Sequence, residues 1–184
     1  MLAGSQSQRG SGNVQIVGNN NCVNNAIAES YCPPLTHSVI HDLLNIVYEM
    51  PSSNDGGYSL ARPVQMHDKL RFNKAARYRL IIDNHADDYA RVDEVMKGYP
   101  DSETIVKKLR DMFLEVAEMD ADGNLCVGNG DEQLGAIKTL LFNTIVADSS
   151  YDTSSFSREQ IEQFCIAFVA YGVSKCKILK SPED

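Results

Sequence analysis

The sequence predicts an all-α protein, a helical bundle of about six helices with a short N-terminal β-hairpin-like or disordered segment ahead of it. Three observations point there. Beyond residue 33, apolar side chains recur every three to four positions, the period of a helix with one buried face. Clusters of Pro, Gly, Ser and Asn separate these stretches. Before residue 33 the pattern is short, β-branched and rich in Asn, which no helix sustains for long.

Two regions follow from that contrast: a Gly/Asn-rich polar lead over residues 1–32 and a helical bundle domain over 33–184. Within the lead, Asn takes six of the thirteen positions from Asn13 to Asn25, and Arg9 and Glu29 are the only charges between Ala3 and Ser30. Gly12 to Val23 sets a short β-branched run between Gly and Asn turns, the pattern of a strand and a tight reversal. One hairpin buries too little to stand alone in water. The lead is therefore a polar tail, docks on the helices, or pairs with copies from other chains through Val14, Ile16, Val17 and Val23.

The helices are read in order. Thr36 caps a first one carrying Val39, Leu43, Val47 and Met50, and Pro51 to Gly57 ends it. A second segment holds Phe72, Ala76 and Leu80; a third holds Tyr89, Val92, Met96 and Tyr99, with Gly98 and Pro100 marking its break. A fourth starts at Asp101 or Ser102 and places Ile105, Leu109, Met112, Val116 and Met119 opposite a charged face. A fifth carries Leu134, Ile137, Leu141 and Ile145. The sixth, with Ile161, Phe164, Phe168 and Tyr171, opens on a Ser157 to Gln160 capping box.

Length and charge limit function. The 184 residues allow one compact domain and an appendage, and 43% apolar residues suffice for a core. A net charge of −8 repels phosphate backbones, so a sequence-independent nucleic-acid coat is excluded as the main role. No apolar run approaches the ~18 residues of a membrane span. The start lacks a secretion pattern, and five cysteines without CxxC spacing argue against a disulfide framework or zinc ribbon, so reduced thiols in the cytoplasm are expected. Neither a nucleophile elbow, a Walker loop, a dinucleotide fingerprint nor HExxH occurs, and no cofactor is expected.

Two metal-like patterns have bland alternatives. Asp120, Asp122, Asn124 and Asp131 follow the spacing of a calcium-binding EF-hand loop, yet Leu125 stands where the turn needs Gly and Asp131 where a bidentate Glu belongs. A polar inter-helix turn is the expected reading. Cys22, Cys32, His37 and His41 offer thiols and imidazoles, but the gap between the cysteines is too long for a knuckle, so free thiols and exposed histidines are expected.

Two resemblances suggest roles. Arg79 and His85, spaced Arg-x5-His near a helix end, resemble the short motif of the HEPN helical ribonucleases, which implies acid–base chemistry at an RNA phosphate. Asp83, Asp87 and Asp88 crowd the pair with negative charge, and a solvated helix face is the preferred reading. The string Pro63 to Asn73, followed by Tyr78 and Ile81-Ile82, resembles the C-terminal domains of bacterial ABC-three-component systems, and Gly12 to Asn21 looks like the lead that often precedes them. That resemblance implies a non-enzymatic interaction and oligomerisation module working with an ATPase and a middle component, in anti-phage defence. Lys69, Phe72 and Asn73 form the partner-facing or fold-defining string, with Lys69 and Asn73 as the partner-binding candidates and a role in folding preferred: Phe72 is expected in the core and Asp68 and Lys69 at a solvated helix start.

Overall fold

The computed structural model describes residues 37–49, 64–175 and 177–182, all within the unit Pro33–Asp184. Val14, Ile16, Val17 and Val23, the Thr36 cap and the Pro51 to Gly57 loop lie outside the described residues.

Seven helices form the described fold: α1 (Val39–Glu49), α2 (Val64–Phe72), α3 (Ala76–Asn84), α4 (Ala86–Gly98), α5 (Ser102–Val116), α6 (Gly130–Val146) and α7 (Arg158–Ser174). The all-α class is as the periodicity predicts. α7 is the central element and packs on α2, α3, α4, α5 and α6, while α1 lies against α4 and α6. Its sequence explains the position: Phe164, Cys165, Ala167, Phe168, Val169, Ala170 and Val173 are all buried, an apolar surface that wraps the whole helix. Phe164, Phe168 and Tyr171 stack in series, with ring centroids 5.6 and 6.1 Å apart.

The start of α7 follows its sequence signature. The Gln160 N–H donates to Ser157 Oγ at 3.2 Å, and the Ser157 N–H donates to Gln160 Oε1 at 2.8 Å. α6 buries Leu134, Ile137, Leu141 and Ile145 as its pattern requires, and α5 buries Ile105, Leu109 and Met112. α5 stops at Val116, however, so Met119 is exposed and bridges Leu125 in a tight reversal.

The largest correction concerns residues 64–84. One helical segment through Phe72, Ala76 and Leu80 is two helices, α2 and α3. α2 ends in a Schellman turn: the Ala75 N–H reaches the Leu70 carbonyl at 2.9 Å, the Lys74 N–H reaches the Arg71 carbonyl at 3.2 Å, and Lys74 adopts φ 56°. Buried Leu70 and Ala75 supply the apolar contact that accompanies such a turn. Because α2 turns Met66, Lys69, Leu70 and Asn73 inward, Phe72 is 40% exposed, not core, and Lys69 is 2% exposed, not at a solvated start. On α3 the buried positions are Tyr78 and Ile82, which leaves Leu80 62% exposed.

Candidate functional site

The end of α2 gathers the polar residues that the sequence singled out. Asn73 is 1% exposed and all of its amide is used. Its Nδ2 donates to the Lys69 carbonyl at 2.9 Å and to the Lys180 carbonyl at 2.8 Å, while its Oδ1 accepts the Lys180 N–H at 3.1 Å. The Asn73 main-chain carbonyl accepts the Gly130 N–H at 2.8 Å. That approach needs glycine, because a Cβ on Gly130 would stand 2.3 Å from the Asn73 oxygen. Asn73 thus joins α2, the start of α6 and the residues after α7. Lys69 and Asn73 are both buried within the described fold.

The residues of the EF-hand-like pattern divide between two jobs. Asp120 Oδ1 accepts the N–H groups of Asp122 and Asn124 at 2.9 and 2.8 Å, and Gly123 takes φ 81°, so residues 120–124 close on themselves. These hydrogen bonds hold the Asp120 carboxyl below its ordinary pKa, the Asn124 N–H contributing most. Asp131 turns elsewhere and caps α3, accepting from Tyr78 N–H at 2.8 Å and Arg77 N–H at 3.2 Å. The twelfth ligand of an EF-hand is therefore committed to another helix.

His37 and His41, one turn apart, converge on one carboxylate, that of Asp148. Asp148 lies beyond the end of α6, and its side chain is fully buried. Its oxygens accept the N–H groups of Ser38 and Ser150 and stand 3.7 Å from His37 Nδ1 and 3.8 Å from His41 Nδ1. His41 is buried rather than exposed, its ring at right angles to that of Tyr151, and among the described residues its Nδ1 has no hydrogen-bond partner. His37 Nε2 meets Asp42 at 2.6 Å. With both Asp148 oxygens taken by main-chain donors, this node clamps α1 to the end of α6. Cys22 and Cys32 lie outside the described residues, and among the described residues no group of three His, Cys, Asp or Glu side chains is placed to hold a metal ion.

Arg79 and His85 sit on α3 and at the α3–α4 junction. His85 Nδ1 pairs with Asp88 at 2.9 Å, and His67 pairs with Asp83 at 3.2 Å across α2 and α3. Arg79 is exposed, and among the described residues no hydrogen bond or ion pair joins it to His85. An open cleft of about 360 Å³ lies between the start of α5 and the end of α7, lined by Ser102, Glu103, Val106, Lys107, Tyr171 and Lys177. No described helix is long and apolar enough to cross a membrane.

Comparison with protein-family models, with curated proteins and with solved structures finds no match to this chain.

Proposed function

We propose that this chain is a non-enzymatic protein-interaction and oligomerisation module that recruits or assembles a partner complex. The observation that carries the reading is the inverted string at the end of α2: polar Lys69 and Asn73 turn inward, and aromatic Phe72 is left 40% exposed. A large aromatic that the fold leaves outside is the side chain most useful at an interface. The acidic balance of −8 favours protein partners over nucleic acid.

In this reading Val14, Ile16, Val17 and Val23 mediate self-association, and the helical unit meets an ATPase and a middle component in the cytoplasm, as in the bacterial anti-phage systems whose C-terminal domains the string resembles. Equilibrium sedimentation of the intact chain tests it. An oligomer is the expected result, and a monomer at all concentrations contradicts it.

A helical ribonuclease is the second reading, favoured by one contact: the Asp88 carboxylate orients the His85 ring as a carboxylate orients a general base. Cleavage of single-stranded RNA that stops on His85→Ala and on Arg79→Ala would place it first.

A further inference from the structure

The start of α5 is left open. Asp101 at its N-cap makes no side-chain cap, and the Glu103 and Thr104 N–H groups have no acceptor among the described residues. A helix of 15 residues presents the positive end of its dipole there. The cleft of about 360 Å³ opens on that end, lined by Ser102 and Glu103 of the first turn and by Tyr171 and Lys177 from the other end of the chain. Its size is that of a small-molecule site.

Two cations stand on this cleft. Lys107 follows Glu103 by one helical turn. Lys177 is fixed through its main chain, whose N–H donates to the Gly172 carbonyl at 3.1 Å and whose carbonyl accepts from Arg110 Nη1 at 3.2 Å. Neither lysine has an ion-pair partner among the described residues. Lys175, in contrast, is committed to Asp93 at 2.9 Å, so that acid is already matched.

Tyr171 is what turns an exposed helix end into a site. It is 6% exposed, it lines the cleft, and its hydroxyl has no hydrogen-bond partner among the described residues. That oxygen is not sealed inside the core, so the little surface Tyr171 keeps includes it. A tyrosine buried to this degree ordinarily finds a partner for its hydroxyl, and here the cleft is the space from which one can reach it.

We propose that the cleft binds a small sugar phosphate, its phosphate seated on the first-turn N–H groups of α5 between Lys107 and Lys177, with the Tyr171 hydroxyl donating to it. Two unpaired ammonium groups and a helix end match a dianion, whereas a single carboxylate would leave one cation unmatched. Glu103 repels a bare anion and accepts hydrogen bonds, so it favours a ligand with hydroxyl groups beside its phosphate. The net charge of −8 works against a polyphosphate backbone but leaves one phosphomonoester to the local field. This site is separate from association through residues 1–32 and does not depend on it.

Titration of the full-length chain with ribose 5-phosphate, followed by amide NMR shifts, tests the proposal. The Glu103 and Thr104 amides are expected to shift saturably at millimolar ligand, with inorganic phosphate binding more weakly and free ribose not at all. Lys107→Gln combined with Lys177→Gln is expected to weaken binding by at least about tenfold, and Tyr171→Phe, which keeps the packed ring, by about threefold or more. Both lysines are exposed, so circular dichroism of that variant should match the parent. Glu103→Gln is expected to narrow the preference for ribose 5-phosphate over inorganic phosphate. Absence of a saturable shift in the unaltered chain overturns the proposal, as does equal affinity for free ribose or for inorganic phosphate, or binding that survives loss of both lysines.

Discussion

Asp131 and Tyr78 are joined across 53 residues of sequence by a 2.8 Å hydrogen bond in which the Tyr78 N–H donates to the carboxylate. α3 has no side-chain cap of its own at Ala75, so the first turn of α6 supplies one, and the negative charge also faces the positive end of the α3 dipole. Asp131→Ala should therefore cost about 0.5–2 kcal/mol in urea unfolding. Because the carboxylate is used in this way, calcium should leave the melting temperature unchanged, and a rise on adding calcium would contradict the assignment.

Gly130 should be the least replaceable glycine described. A methyl group there meets the Asn73 carbonyl at 2.3 Å and Ala75 Cβ at 3.0 Å, and a main-chain atom cannot swing aside. Gly130→Ala should destabilise by about 1–3 kcal/mol. Gly98→Ala, with open space around it, should be close to neutral or stabilising in the same measurement.

Acid should loosen α1. Burial pushes the Asp148 carboxyl up, but the N–H groups of Ser150 and Ser38 and the adjacent His41 and His37 outweigh it, and the net shift is downward from 3.8. The sign follows from linkage. The folded chain binds the proton less readily than the unfolded one, so the contribution is complete above the ordinary carboxylate value and is lost as pH falls through the lower folded value. Urea unfolding at pH 7 and at steps below 3.8 should show that decline. Asp148→Asn should lower stability at pH 7 and make the acid limb shallower; an unchanged limb would assign the decline to other carboxyls.

Thiol chemistry should sort the cysteines by burial. Burial pushes the Cys165 thiol up to about 12, with Lys138 and Glu162 acting in opposite directions, so almost no thiolate exists at pH 8. Iodoacetamide should modify half-buried Cys126 in the native chain and reach Cys165 only in denaturant. Rapid native labelling of Cys165, read by peptide mapping, would place it nearer the surface than α7 allows.

What was legible in the sequence was local. The α6 register and the Ser157–Gln160 box follow from spacings of three and four residues, and both appear as expected. The break after α2 was hidden because a lysine, not a glycine, takes the left-handed position at residue 74. Phe72 was misplaced for the same reason: a single helix through Ala76 and Leu80 would have put it on the apolar face. The contacts that organise the candidate sites span 53, 107 and 110 residues, from Asp131 to Tyr78, from Asn73 to Lys180 and from Asp148 to Ser38. No local period encodes such pairings. His37 and His41 were recognisable as a pair sharing one helix face, yet the carboxylate between them was not, because Asp148 belongs to a loop whose only local sign is an Asp-Ser-Ser turn.

Assembly is the central claim, and its most direct measurement is mass in solution, by sedimentation equilibrium, for the intact chain and for the chain lacking residues 1–30. The intact chain is predicted to be an oligomer that falls to monomer on truncation while its helical circular dichroism persists. Monomers in both samples would contradict the claim.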